Sequence, residues 1–191
     1  MPRRGLTREQ VAGVAADVAD EVGFDSLTLS AVAQRLGVSQ PALYKHVPGI
    51  DALRRDVAVR AVEELTLAIG DARQDLRGRG ALEAVAVAYR TYAARHPGRV
   101  AASVRAPAPD DDEHAGAGAR AVAVLAGVLE DYGITGSDTV HAVRAVRATL
   151  HGFVVLEAAG GFGLPESVDE SFDRLLAGLD VALSQHVAKP S

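Results

Sequence analysis

The chain has 191 residues, 48% of them hydrophobic, and a formal net charge of −5, which is enough apolar material for one or two packed domains. It has no Cys, which excludes a disulfide scaffold, a thiolate metal site and a thiol nucleophile. No apolar run reaches the ~18 residues of a membrane span, and the charged N-terminal stretch MPRRGLTREQ lacks the apolar core of a secretory signal, so a cytoplasmic protein is expected.

A first helix is expected after Thr7, which forms a capping-box pattern with Gln10. Val11, Val14, Ala15, Val18 and Val22 recur at helical spacing, and Gly23 provides the stop. A short second helix carries Leu29, Val32, Ala33 and Leu36 between a Thr28 cap and Gly37. Ser39 is the expected cap of a third, which tolerates Pro41 in its first turn. A fourth is expected over about residues 50–69.

The middle segments EAVAVAY and RAVAVLAGVL alternate like strands, but they are rich in Ala, a strong helix former and poor strand residue. As helices, Leu82, Val85, Tyr89 and Tyr92 share one face, and Val122, Leu125, Leu129 and Tyr132 repeat that spacing. The stretch APAPDDDEHAGAGA between them reads as a loop or helix start. Two more helices are expected over about residues 137–159 and 167–187. The second has a Ser167–Glu170 capping box and an apolar stripe of Phe172, Leu175, Leu176, Leu179 and Leu183. The chain therefore reads as all-α, with about nine helices.

Residues 28–47 carry the chemistry. Gly37 supplies the left-handed backbone of a sharp turn. Ala33 is small where two helices cross, and Leu43 anchors the second helix against the first. This is the punctuation of a helix-turn-helix, whose second helix enters the DNA major groove with its N-terminal residues foremost. Gln40 suits an adenine edge, and Pro41 and Ala42 suit a thymine methyl. Tyr44, Lys45 and His46 carry donors for phosphates. The charge is distributed to match. Residues 1–60 hold eight Lys/Arg against seven Asp/Glu, and the acid sits in the rest of the chain.

The stretch LTLSAVAQRLGVSQPALYKHVPGIDAL resembles the DNA-binding region of the tetracycline-repressor (TetR) family, most densely over residues 7–60. Farther on, RATLHGFVVLEAAGGF is similar to a C-terminal region that usually reads Trp-His-Gly, with Leu150 here in place of the Trp. The resemblance implies a dimeric all-α protein. Residues 1–48 would form the helix-turn-helix domain, and residues 49–191 the effector-binding and dimerisation domain. Thr28, Gln40, Pro41, Ala42, Tyr44, Lys45 and His46 match the family positions that touch double-stranded DNA. Arg3 and Arg4 read either as a flexible arm near the phosphates or in a narrow minor groove, or as an untethered basic tail. Family members commonly place a Lys near the start of the fourth helix to hold a phosphate. Gly49-Ile50-Asp51 stands there instead.

Tyr89, Tyr92, Arg147, His151 and Phe153 are candidates for an effector site. The aromatic residues also read as ordinary core, and Arg144, Arg147 and His151, on one helix face, as salt-bridge partners at a dimer seam. Asp110 to His114 lack the converging geometry of a hard-metal site, so neither metal nor cofactor is expected. Ser, His and Asp are present without a nucleophile elbow or metal-helix motif around them, so an enzyme is not expected. The expected function is that of a homodimeric repressor released from a palindromic operator by a small molecule. The other reading is a ligand-binding or scaffolding protein with vestigial DNA contacts.

Overall fold

The structure, a computed structural model, describes residues 6–186. Among these residues there are nine α-helices and no strand: α1 Arg8–Val22, α2 Leu29–Leu36, α3 Gln40–Leu43, α4 Ile50–Arg73, α5 Gly78–Arg95, α6 Pro97–Ala102, α7 Asp112–Glu130, α8 Ser137–Ala158 and α9 Val168–His186. The all-α expectation is met. No helix among the described residues is long and apolar enough to cross a membrane. Arg3 and Arg4, read as an arm, lie outside the described residues.

The caps explain several boundaries. Thr7 Oγ1 accepts the Gln10 N–H at 3.2 Å while the Gln10 side chain accepts the Thr7 N–H at 3.0 Å, which starts α1. Two boundaries differ from expectation. Ser39 makes no side-chain capping bond, and α3 is a single turn. It continues as a turn in which the N–H groups of His46 and Val47 both donate to the Leu43 carbonyl, at 2.8 and 2.9 Å. α4 runs on past the expected end to Arg73. Gly70, just past the expected end, lies inside it. A Cβ built there would sit 3.8 Å from the Val124 side chain of α7, and the Arg73 guanidinium donates to the Val124 carbonyl at 2.9 Å. Packing overrides local propensity here.

The chain divides into two compact units, each made of two stretches. One comprises the chain up to Glu64 together with Arg95–Gly118. Its core is built from Val11, Ala15 and Val18 of α1, Val32 of α2, Leu43, Val47, and Leu53 and Val57 of α4, joined by Ala102 of α6. Within it α6 lies directly on α1. A methyl group at Gly98 would overlap the Ala19 carbonyl. The Arg99 N–H donates to Asp20 Oδ1 at 2.9 Å. The buried Arg99 guanidinium pairs with Asp20, with Asp17 at 2.6 Å and with Glu64 at 3.1 Å.

The other unit comprises Leu65–Ala94 and the chain from Ala119 onward. Leu82, Val85, Leu129, Val146, Leu150, Phe172 and Leu176 are buried in it. Arg90 of α5 ties α8 to α9. It donates to Glu157 at 2.9 Å, pairs with Asp169 at 2.7 Å and lies 4.8 Å above the Phe172 ring. Val140, Val155 and Leu156 of α8 and Val181 of α9 are exposed.

Candidate nucleic-acid interface

α2 and α3 are set by two devices. At the start of α2, Thr28 has an extended backbone and its Oγ1 accepts the Ala31 N–H at 3.2 Å. That bond uses a lone pair, so the Thr28 O–H proton remains available to an outside acceptor. At the end, Gly37 is left-handed (φ 67°, ψ 30°). Its N–H donates to the Gln34 carbonyl at 3.1 Å, and the Val38 N–H reaches back to Ala33 at 3.1 Å. This paired return is a Schellman motif, which only glycine adopts without strain. It turns the chain sharply from α2 into α3.

Leu43 then fixes which face of α3 is outside. It is fully buried, a burial worth about 1.5–3 kcal/mol, and joins the same core as Val32 and Ala33. Gln40, Pro41, Tyr44 and Lys45 are exposed, and Ala42 and His46 are half-buried. The structure therefore brings Gln40, Pro41, Ala42, Tyr44, Lys45 and His46 together on one turn, with Thr28 exposed at the start of α2.

Among the described residues up to Glu64, the arginines are committed within the protein. Arg8 makes a two-pronged contact with the buried carboxylate of Asp56, at 2.6 and 2.5 Å. Arg35 pairs with Glu21. Arg54 donates to the Asp25 carbonyl at 2.8 Å, holding the turn that precedes Thr28. Arg55 binds Asp111 at 2.7 Å and Glu113 at 2.6 Å, and Arg60 binds Glu64 at 2.7 Å. Among the described residues of that stretch, Lys45 is the cation with no ion pair or hydrogen bond to protein. An exposed, unpartnered ammonium beside Gln40 is suited to a phosphate. Ile50, which stands where the resemblance implies a Lys, packs against the core of this unit.

None of these long-range pairs is visible in sequence spacing, since Arg8 and Asp56 are 48 positions apart and Arg55 and Asp111 are 56. Sequence reasoning also missed α6, whose six residues are too few for periodicity to register. Its one signal is Pro97 followed by Gly98, a helix-start residue and a close-approach residue. The acidic run is not a uniformly solvated segment. Asp112 and Glu113 are exposed, but His114 is buried and Asp111 is held by Arg55.

Of the effector candidates, the structure joins Tyr89 to His151. The Tyr89 hydroxyl lies 3.0 Å from His151 Nδ1. Burial pushes the Tyr89 phenol up to about 12. Burial, and then the charge of Arg147, pulls His151 below the ordinary imidazole value. Tyr92 is buried on the same face of α5, three positions from Tyr89. Phe153 packs with its ring centroid 4.9 Å from those of both Phe162 and Phe172 and lies under Arg90.

Comparison with known proteins places this geometry. A family model for bacterial regulatory proteins of the tetR family matches residues 13–57. A model for the tetracyclin repressor-like C-terminal domain matches residues 82–179. An uncharacterized HTH-type transcriptional regulator, Rv0681, of Mycobacterium tuberculosis is 38% identical over 161 residues, covering 81% of this chain and 72% of its own. Another, YobS of Bacillus subtilis, is 32% identical over 171 residues, covering 89% and 88%. Among solved structures, a single-substitution variant of TetR from Acinetobacter baumannii AYE in complex with minocycline superposes with a TM-score of 0.69 at 25% identity, covering 98% of this chain and 100% of that one. These relatives are regulators and not enzymes. With a helix-turn-helix presenting Gln40 to His46 and family matches to both regions, the chain belongs to the tetracycline-repressor family of DNA-binding transcriptional regulators.

Proposed function

We propose that this regulator is a homodimeric repressor that holds a palindromic operator in the cytoplasm and is released by a small-molecule effector. The observation that carries the reading is the turn built on Leu43, which buries one apolar anchor and leaves Gln40, Pro41, Tyr44 and Lys45 outward. Gln40 to Ala42 supply base-edge chemistry, and Thr28, Tyr44, Lys45 and His46 supply backbone chemistry. Residues 1–48 act as the reading head and the remainder as the responding part.

Dimerisation fits the exposed Val140, Val155, Leu156 and Val181 of α8 and α9, because a second copy would withdraw these side chains from water. A two-fold dimer then calls for two half-sites and an operator with matching symmetry. Effector release is supported by the resemblance to the minocycline-bound TetR structure and by the polar pair of the buried Tyr89 and the half-buried His151. Release is a coupling free energy: the effector favours a state that fits the operator poorly.

Selection from a random duplex library at low salt, with sedimentation in parallel, tests the proposal. The expected result is a dimer that enriches one palindromic sequence. Enrichment of no sequence, with binding that vanishes as salt rises, would support a ligand-binding or scaffolding protein whose DNA contacts are vestigial.

A further inference from the structure

Tyr89 and His151 do more than fill space. Tyr89 is buried on α5, on the face that also carries Val85, Tyr92 and Ala93, all buried. Its hydroxyl lies 3.0 Å from His151 Nδ1 on α8 and has no other partner among the described residues. A buried phenol that accepted a proton from Nδ1–H would leave its own O–H without an acceptor, which is costly. A phenol is also a better donor than acceptor. The Tyr89 O–H therefore donates to Nδ1, and Nδ1 is unprotonated.

The other nitrogen follows from this. Burial and the positive charge of Arg147, one turn earlier on α8, both keep the imidazole neutral. With Nδ1 accepting, the single ring proton sits on Nε2. Nε2–H finds no acceptor among the described residues, and the half-buried ring is not sealed from outside. The result is one oriented N–H donor whose tautomer is set from behind by Tyr89, and the α5 face that carries Tyr89 also carries Val85, Tyr92 and Ala93.

We propose that His151 Nε2–H is the polar recognition point of the effector site, and that Tyr89 is the positioning residue that fixes its tautomer. This rests on the reading of the chain as effector-responsive. The ligand class it implies is an apolar molecule bearing an oxygen acceptor, a carbonyl or carboxylate. An ammonium group at that point would set donor against donor beside Arg147. The polar requirement is thus narrower than apolar contact alone would impose.

The test uses the full-length protein labelled with 15N at histidine. At neutral pH, His151 should show the two-bond correlation pattern of a neutral ring protonated at Nε2. Tyr89→Phe should convert it to a mixture of tautomers while leaving operator binding intact. Decanoate should move the Nε2 resonance, whereas decylamine should not, and Tyr89→Phe should weaken decanoate binding only by the factor by which it lowers the Nε2-protonated fraction, about twofold for an even mixture. If Tyr89→Phe fails to fold, His151→Gln, which keeps a donor near the Nε2 position, should bind decanoate more tightly than His151→Asn. An Nδ1-protonated or charged ring in the wild type overturns the positioning role. An unmoved Nε2 resonance with decanoate, or an equal response to decylamine, overturns the ligand class. Operator binding is read on the same preparation. Its absence alongside the expected tautomer would sink the repressor reading and leave the His151 assignment standing.

Discussion

Arg55 of α4 donates to Asp111 Oδ2 at 2.7 Å, and Asp111 in turn accepts the N–H of His114 at 3.0 Å. One carboxylate thus starts α7 and fixes it to α4 within the unit that also holds α2 and α3. The bond to Arg55, and then the bond from the His114 N–H, hold the Asp111 carboxyl well below the ordinary carboxylate range. Arg55 also reaches Glu113 and the buried Asp56.

The pH consequence has a definite sign. The folded carboxylate stays charged where the unfolded one takes up a proton. Its contribution is therefore complete above about pH 4 and drains away as the pH falls further. Asp111→Asn keeps a helix-capping side chain but removes the charge. It should lower the urea midpoint at neutral pH and make the acid-side decline below about pH 4 shallower. Parallel acid-side declines in mutant and wild type would mean that the pairing does not contribute.

His114 carries the same direction at higher pH. Burial pulls its imidazole below the ordinary value, so its contribution is complete above about pH 6.5 and is lost as the pH drops through the folded value. Melting temperatures should fall on mild acidification. His114→Gln should flatten that fall in part, and the remainder should track His151, whose shift has the same direction. A mutant with the full wild-type dependence would exclude His114 as a source.

Gly98 tests the seat of α6 on α1. A methyl there overlaps the Ala19 carbonyl, which is backbone and has little room to give. Gly98→Ala should cost about 1–3 kcal/mol in chemical denaturation. Gly80 of α5, where a Cβ meets nothing within 4 Å, is the control. Gly80→Ala should be neutral or stabilising by up to about 1 kcal/mol. Equal effects at the two positions would contradict the close approach.

Ile50 separates a missing phosphate contact from a packing position. Its side chain packs against the core that also buries Val32 and Leu43. Ile50→Lys should therefore lower stability by about 1 kcal/mol or more and leave the salt dependence of DNA binding unchanged. A steeper salt slope at an unchanged melting temperature would show that position 50 faces phosphate.

Much of this is legible in the sequence because it is local. The Thr7–Gln10 box, the Thr28 cap and the Gly37 turn are each decided within about four residues, and Leu43 is the single apolar residue of its turn that can serve as an anchor. What is not legible is decided at a distance. Gly70 lies just past the expected end of the fourth helix and is helical because α7 packs beside it. Ser39 reads as a cap, yet α3 closes by backbone bonds alone. Val122 reads as inward with Leu129, but it is exposed while Leu129 is buried. The tethers Arg8–Asp56, Arg99–Asp20 and Tyr89–His151 join residues 48, 79 and 62 positions apart, beyond the reach of any periodicity.

The central claim is that the segment from Gln40 to His46 reads bases through Gln40 and holds phosphate through Lys45. The most direct measurement compares Gln40→Ala and Lys45→Ala across a library of variants of the selected operator. Gln40→Ala should relax preference at one position per half-site, costing about 1–3 kcal/mol there and little elsewhere. Lys45→Ala should weaken all sequences by a common factor and reduce the log–log salt slope by about 0.9 per lost contact. Two mutants with the same profile across the library would contradict this division of roles.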